Sequence, residues 1–322
     1  MRLCDLGLRI EGTALEARIE RLCEELSSAG LRFRPYTWLS TDWFTPEGST
    51  GFAIPFYLAH ARLVRLEHAQ MLEAEGSTHE ACMRLLRHEA GHALDNAFRL
   101  HRRADWRDLF GRYTEPYRAD YAVKPESREY VHHLGFWYAQ SHPAEDWAET
   151  FAVWLTPGSR WQKTYAGWPA RKKLERLDAL LRGLAGRRQL VSSRDRDRSL
   201  PTLRFTLREY YRRKKASYGR PQPWGHDEQL SRLFGEPEGR ERRERAANLL
   251  RQHRVELRAR VSALTGHSRY VVDQALSTMI ARCRELDLRC VRPRGETRLL
   301  AAMLLTMITF QLSRGRTSRF RR

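Results

Sequence analysis

Two histidines and a glutamate stand together in the five-residue segment His88-Glu89-Ala90-Gly91-His92. On a helix, residues four apart lie one turn above each other, so the imidazoles of His88 and His92 can reach one metal ion. The glutamate beside the first histidine then lies near a water on that metal and can take its proton. This spacing predicts a zinc-dependent hydrolytic centre, provided that the segment is helical and a third ligand exists. The alternative is a solvated helix that carries two histidines by chance.

The residues around this motif predict the helix that it needs. Ser77 and Glu80 have the spacing of a capping box, in which Ser77 is the N-cap and Glu80 bonds back to its backbone N–H. Apolar residues then recur at helical spacing, at Cys82, Leu85, Leu86, Ala93 and Ala97. The two histidines therefore fall in the middle of a long helix, where the backbone is rigid enough to hold ligand geometry.

A second, acidic helix supplies candidates for the third ligand. A catalytic zinc usually takes three protein ligands and leaves the fourth position to water. Ser141 can cap a helix that has Pro143 in its first turn and that residues 157–158 stop. Glu145 and Glu149 are four residues apart on this helix, so they share a face. Burying both acids among apolar neighbours is costly unless a cation or a proton lies between them.

This pair of helices resembles the glutamate-ligand zinc peptidases, the gluzincins. In that class a second helix donates a glutamate ligand, and an acid four residues later orients a liganding histidine. The resemblance implies Glu145 as the ligand and Glu149 as the orienting acid, with Asp95 a lesser candidate for the second role; the reverse order of the two glutamates stays open. The segment is also similar to the anthrax lethal factor family, in which a tyrosine stands seven residues before the ligand. That position is Tyr138 here, which implies a donor to the tetrahedral oxyanion or, alternatively, a packing tyrosine.

Four stretches carry a closer resemblance, to the bacterial family of putative zinc-binding metallopeptidases. They are residues 51–60, 82–95, 142–151 and 167–174. The likeness covers about residues 1–190 and shows no departure at His88, Glu89, His92 or Glu145. It implies a zinc metallopeptidase in which the two histidines and Glu145 hold Zn²⁺, Glu89 is the general base, and a peptide or protein is the substrate. Hydrolysis of a non-peptide amide or ester by the same centre stays open.

One strand and three further histidines lie outside the two helices. Residues 48–57 have strand composition, and Pro55 predicts an edge strand because proline cannot donate to a ladder. In gluzincins such an edge pairs with an extended substrate; an ordinary edge strand is the alternative. His132, His133 and His142 are rival ligands. Adjacent side chains point in different directions, so His132 and His133 fit a loop pair, or a donor to one of the ligands, better than two ligands of one metal ion.

The charge of the 322-residue chain, +19 in total, is unevenly distributed. Residues 1–190 carry 27 Lys and Arg against 25 Asp and Glu, whereas residues 191–322 carry 31 against 14. This asymmetry predicts a domain boundary with residues 192–199 as the linker. We predict a mostly helical α+β fold: a zincin-like domain at 1–190, with a small sheet and the His-Glu-x-x-His helix, followed by an all-α, arginine-rich domain at 191–322.

The role of the arginine-rich region stays open. Residues 212–215, flanked by Tyr210, Tyr211 and Tyr218, have the composition of a nucleic-acid patch, but a solvated surface or an acidic protein or peptide partner is favoured over nucleic acid. If the zinc site is structural or vestigial, this region carries the function of a binding or regulatory protein. Five scattered cysteines and the lack of a signal segment predict a cytoplasmic protein. The apolar run at 299–312 is too short to span a membrane and predicts a buried core helix.

Overall fold

The computed structural model of the chain describes residues 1–117, 121, 123–135, 137–218, 225–235 and 243–313. Within these ranges the chain divides into two compact units, residues 1–67 with 74–209, and residues 68–73 with 210–313. Residues 191–209 thus lie with the first unit. The division into domains at residue 190, which was predicted from the charge distribution along the sequence, is a separate statement and stays a prediction. The fold is mostly helical with one small sheet, which confirms the predicted α+β class.

The described residues form two strands and thirteen α-helices. The strands are β1 (Tyr36–Ser40) and β2 (Gly51–Pro55). The helices are α1 (Ala14–Ser28), α2 (Ala61–Met71), α3 (His79–Phe98), α4 (Ala104–Phe110), α5 (Pro143–Leu155), α6 (Trp161–Thr164), α7 (Pro169–Arg182), α8 (Leu207–Ser217), α9 (Asp227–Leu233), α10 (Ala246–Gln252), α11 (Arg254–Thr265), α12 (Arg269–Glu285) and α13 (Arg294–Ser313).

The sheet consists of β1 and β2, paired in parallel with Trp38 opposite Ala53. Every residue of β2 is buried, in keeping with its apolar composition. On its other side, the N–H of Ala53 donates to the carbonyl of Phe44 at 2.8 Å. Pro55 ends the strand, as its missing N–H requires. Because Phe44 already takes the donor of Ala53, the edge of β2 predicted to pair with an extended substrate is closed at this residue.

Close approach of α3 and α5 is made possible by Gly91. A Cβ on Gly91 would lie 3.0 Å from Phe151 Cδ1 and 3.1 Å from the Cα of Ala148, closer than side chains normally pack. The buried Trp147 crosses the same contact and donates its indole N–H to the carbonyl of Gly91 at 2.8 Å. The two helices that carry the predicted ligands are therefore held together at the centre of the His-Glu-x-x-His segment.

The stretch predicted as a linker, residues 192–199, is fastened to the sheet of the first unit. Trp38 Nε1 donates to the carbonyl of Asp197 at 2.9 Å, and Ser40 Oγ donates to that of Arg198 at 2.7 Å. Thr50 Oγ1 donates to the carbonyl of Ser193 at 2.8 Å. These bonds fix the main chain, so this part of the prediction is wrong and the stretch forms part of the first unit.

The second unit is helical around an apolar core formed mainly by α10 to α13. On α13, Ala301, Leu305 and Ile308 are buried, but Leu299 and Met303 are 62% and 60% exposed. The helix predicted to be buried, α13, is therefore buried on one face only. Its apolar residues lie all around the helix, but the core of the second unit contacts one side. Among the described residues, no helix is both long and apolar enough to cross a membrane.

Candidate metal centre

Helix α3 places the predicted motif in its middle. Its N-cap is Thr78, whose hydroxyl accepts from the N–H of Ala81 at 3.1 Å, so the cap lies one residue after the predicted Ser77. His88, Glu89 and His92 are buried. A helix of twenty residues with a satisfied N-terminus supplies the rigid support that the predicted ligand geometry requires.

Helix α5 begins at Pro143, with His142 as its N-cap instead of the predicted Ser141. His142 Nδ1 accepts from the N–H of Ala144 at 3.1 Å. Proline fits this first position because its missing N–H has no partner there and its φ is already helical. Glu145 and Glu149 both lie on the buried side of α5, the shared face that their spacing predicts.

Three ligand-type atoms converge between α3 and α5. Oε2 of Glu145 lies 3.1 Å from Nε2 of His88 and 3.1 Å from Nε2 of His92, and the two nitrogens are 3.2 Å apart. Among the described residues, these three side chains form the one group of histidine, cysteine or acidic residues with ligand spacing. The structure thus brings together the residues predicted as metal ligands.

Glu149 contacts the opposite edge of the His88 ring. Its Oε1 lies 2.9 Å from His88 Nδ1, and its Oε2 accepts from the backbone N–H of Leu134 at 2.8 Å. An ionised carboxylate only accepts, so Nδ1 of His88 must donate. In the neutral ring Nε2 then carries a lone pair, and it points toward Glu145 and His92.

The cluster has the chemistry of a cation site. When both rings are neutral with Nε2 unprotonated, lone pairs on these nitrogens and on the carboxylate oxygen face one another in a buried space, which is unfavourable unless a positive charge lies among them. A tetrahedral zinc with bonds of about 2.0–2.1 Å places its ligand atoms about 3.3 Å apart, close to the 3.1–3.2 Å found for His88, His92 and Glu145. The donor set, two nitrogens and one oxygen, also suits zinc.

The pKa shifts in the cluster also indicate that a positive charge is favourable there. Burial lowers the pKa of His88, but its hydrogen bonds to Glu145 and Glu149 outweigh burial and raise the pKa to about 10. Burial raises the pKa of Glu145, and the adjacent His92 and His88 hold it well below the usual range. Two carboxylates thus favour a cation at this place, either a proton on His88 or a metal ion.

Glu89, the predicted base, is oriented by a residue that the sequence did not single out. Thr45 Oγ1 donates to Oε2 of Glu89 at 2.8 Å, and Thr45 is buried. The glutamate follows His88 directly on α3, so a fixed rotamer holds its carboxylate at a constant position relative to the cluster. No periodic signal marks Thr45, because it lies in an irregular segment.

Tyrosines surround the cluster. The ring of Tyr138 lies 5.7 Å from the ring of His88 between centroids. Tyr117, which the sequence did not single out, donates its hydroxyl to Oε1 of Glu145 at 2.8 Å. Burial, assisted by the charges of Glu149 and Glu145, raises the pKa of Tyr121 to about 12. Each of these phenols is therefore a candidate hydrogen-bond donor to a substrate at the cluster. The sequence predicted this role for Tyr138 alone.

Asp95 contacts a histidine that was not among the predicted ligands. Its two carboxylate oxygens bond to His101, one to the backbone N–H at 2.7 Å and one to Nδ1 at 3.0 Å. Asp95 thereby ties the C-terminal end of α3 to the turn that follows it. Its predicted role as a support for a liganding imidazole stays untested.

The rival histidines lie outside the group with ligand spacing. His133 is buried and its Nε2 lies 2.9 Å from the carbonyl of Arg84. His142 caps α5, and the ring of His132 packs against Trp168. These contacts give each ring a structural role. A loop pair was predicted for His132 and His133, whereas the capping role of His142 was not predicted.

The tyrosines of the predicted nucleic-acid patch are largely enclosed. Tyr210 and Tyr211 are only 5% and 6% exposed, and Lys214 Nζ donates to the hydroxyl of Tyr210 at 3.1 Å. These two rings are not available to stack with bases, which weakens the nucleic-acid interpretation.

A family comparison agrees with this geometry. Two packed helices that bring two histidines and a glutamate together, with a second glutamate beside the first histidine, define a candidate zinc-peptidase centre. Residues 67–163 match the model of the family described as putative zinc-binding metallo-peptidase. This segment contains the whole His-His-Glu group, so the predicted family is confirmed for this part of the chain. No curated protein and no solved structure matches the chain.

Proposed function

We propose that the first unit is a zinc-dependent peptidase whose metal ligands are His88, His92 and Glu145. The observation that carries the proposal is the convergence of Nε2, Nε2 and Oε2 at 3.1–3.2 Å in a buried site. Glu149 supports this ligand order, because it bonds to Nδ1 of His88 and so favours the neutral tautomer whose Nε2 lone pair can bind a metal ion. The family match over residues 67–163 supports the same class of enzyme.

In this proposal Glu89 is the general base. A zinc ion bound at the cluster would supply Lewis acidity and lower the pKa of water toward neutrality. Glu89, held by Thr45 at 2.8 Å, accepts the proton of the attacking water and returns it to the leaving amine. The bond from Thr45 restricts the rotation of the carboxylate, so the proton is taken and returned at one place.

Stabilisation of the oxyanion falls to a tyrosine. We assign Tyr138 to this role because it lies beside His88 and is half-buried. Tyr117 is the second candidate, but its hydroxyl already donates to Glu145, which ties it to the ligand and not to the developing charge. An oriented donor of this kind typically contributes about 10²–10³-fold to the rate.

The Glu89→Gln variant tests the enzyme proposal against its main alternative. The alternative is a binding or regulatory protein whose zinc site is structural or vestigial and whose arginine-rich region binds an acidic protein or nucleic acid. A structural site does not need a base, so a peptidase should lose turnover while retaining zinc and fold. Wild-type protein that binds zinc tightly and cleaves nothing in a diverse peptide library would favour the alternative.

In this proposal the basic residues of the C-terminal region attract the substrate or a partner electrostatically. Residues 191–322 carry 31 Lys and Arg against 14 Asp and Glu, which favours an acidic substrate or partner. Long-range attraction weakens as salt shortens the Debye length, about 10 Å at 0.1 M. A peptidase activity that does not change with ionic strength would therefore contradict electrostatic recruitment.

The cytoplasmic location stays a prediction from the sequence.

A further inference from the structure

A cavity of about 470 Å³ lies in the first unit, and two of its lining residues, Thr45 and Tyr117, bond to Glu89 and Glu145 of the metal centre. Three separate segments line it: residues 44–47 before β2, residues 113–117 before α5, and Asp197 with Arg198 from the stretch fastened to β1. Its volume is sufficient for one large side chain together with neighbouring backbone. The stretch predicted as a linker therefore forms one of its walls.

Two residues of this cavity contact the candidate catalytic groups directly. Thr45 donates to the base Glu89 at 2.8 Å, and Tyr117 donates to the ligand Glu145 at 2.8 Å. A substrate whose scissile bond lies at the centre has its neighbouring residues within reach of this cavity. The cavity is therefore positioned to bind a substrate side chain next to the bond that is cleaved.

The walls of the cavity combine aromatic rings with carboxylates. Phe44, Tyr113 and Tyr117 supply rings, and Glu47 and Glu115 supply exposed acids. Asp197 is a third acid, but it forms an ion pair with its neighbour Arg198 at 3.0 Å. Among the described lining residues, carboxylates thus outnumber guanidinium groups three to one.

Arg198 shows how a cation is accommodated in this environment. Its guanidinium carbon lies 4.1 Å from the centre of the Phe44 ring, while its Nε bonds to Asp197. Stacking on an aromatic face together with a carboxylate contact is the usual way in which proteins hold arginine and lysine side chains. Tyr113 and Tyr117 each stack on a histidine, His101 at 4.3 Å and His142 at 3.8 Å between ring centroids. A second cation therefore meets the edge or the other face of these rings, beside Glu47 and Glu115.

We propose that this cavity is a specificity pocket for a lysine or arginine side chain of the substrate, adjacent to the scissile bond. The inference rests on the proposed peptidase function, which it extends by naming a class of substrate. Glu47 and Glu115 select positive charge, and the aromatic rings contact the aliphatic stem. An acidic side chain is repelled by the same carboxylates. A neutral apolar side chain gains the ring contacts and lacks the charge contacts.

The test compares fluorogenic peptides that differ in one residue, lysine, norleucine or glutamate, placed in turn on each side of the scissile bond. Wild-type protein should cleave the lysine peptide on the order of 10-fold better than the norleucine peptide, a size expected for exposed carboxylates. In the Glu47→Gln, Glu115→Gln double variant, kcat/KM for the lysine peptide should fall about 10-fold relative to that for the norleucine peptide, so that the preference is lost. Glu11→Gln, an exposed acid outside the cavity, is the matched control and should retain the preference.

A second arm measures binding without turnover. Titration of the same peptides into zinc-loaded Glu89→Gln protein should give tighter binding of lysine than norleucine, and the difference should vanish when Glu47 and Glu115 are also replaced. Equal binding, or a preference that survives the double replacement, overturns the pocket even if no peptide is cleaved by the wild type. Cleavage without preference overturns the pocket alone, whereas absence of cleavage with selective binding overturns the peptidase and retains the pocket.

Discussion

Replacing Glu149 with glutamine should weaken zinc binding without removing a ligand. The carboxylate accepts from two donors, His88 Nδ1 at 2.9 Å and the N–H of Leu134 at 2.8 Å. A glutamine has one acceptor oxygen, so its NH₂ must face one of these donors. If it faces His88, the ring is driven to the tautomer that carries its proton on Nε2, the atom that points into the cluster. If it faces Leu134, a partly buried N–H loses its partner.

The size of the effect separates the two glutamates. Loss of a residue that orients a metal ligand typically costs about 10–100-fold in affinity, or about 1.4–2.7 kcal/mol. Loss of a ligand costs more: zinc binding of about 10–16 kcal/mol, shared among the ligands of a site, corresponds to at least about 100-fold for each. We therefore expect Glu145→Gln to weaken zinc binding more than Glu149→Gln does.

The assay is a competition titration against a chromogenic zinc chelator, with far-UV circular dichroism to verify the fold. Asp146→Asn is the matched control, because Asp146 is also a buried acid of α5 but bonds to Lys173 at 2.5 Å. It should lower stability and leave zinc affinity nearly unchanged. A larger loss of zinc from Glu149→Gln than from Glu145→Gln would refute the ligand order and reverse it.

Three further perturbations follow from the same contacts. Gly91→Ala should lower the free energy of unfolding by about 1–3 kcal/mol, measured in urea, because its Cβ meets Phe151 at 3.0 Å. An unchanged unfolding midpoint would show that α3 and α5 can move apart enough to accept the methyl group without cost. Burial lowers the pKa of His133 to about 4, so the stability that its neutral ring contributes is complete above about pH 6.5 and is lost as pH falls through 4. Relative to His133→Asn, the wild type should therefore lose about 3 kcal/mol of unfolding free energy between pH 7 and 4, measured by chemical denaturation. Parallel pH curves for the two proteins would contradict this. Tyr138→Phe should lower kcat by about 10²-fold with little change in KM, and a larger effect of Tyr117→Phe would transfer the oxyanion role.

The two helices of the centre could be predicted from the sequence because periodicity and caps are local signals. The spacing of His88 and His92, and of Glu145 and Glu149, fixes which side chains share a helix face. The predicted N-cap of α3 was wrong by one residue, since Ser77 and Thr78 are both good caps and only the path of the preceding turn decides between them. A boundary error of this size does not move the ligands.

The groups that orient the centre could not be predicted in the same way. Thr45 and Tyr117 lie in irregular segments, and Leu134 contributes its backbone N–H, a donor that almost every residue has. The charged stretch at 192–199 has the composition of a linker, but it is held through its carbonyls by Trp38 and Ser40. Side-chain composition carries no information about main-chain acceptors, so only the tertiary structure shows that this stretch forms a wall of the cavity.

The cavity also changes what the charge of the chain implies about substrate. In the proposed function, excess arginine in residues 191–322 attracts acidic partners over long range, whereas the proposed pocket with Glu47 and Glu115 selects a basic side chain at the cleaved bond. The two preferences are compatible because they act on different parts of a substrate and respond differently to salt. Long-range recruitment raises the encounter rate and fades beyond a Debye length of about 10 Å at 0.1 M. A contact at hydrogen-bond distance is shorter than the Debye length, so added salt should reduce kcat/KM for acidic proteins more steeply than it reduces the lysine preference of short peptides.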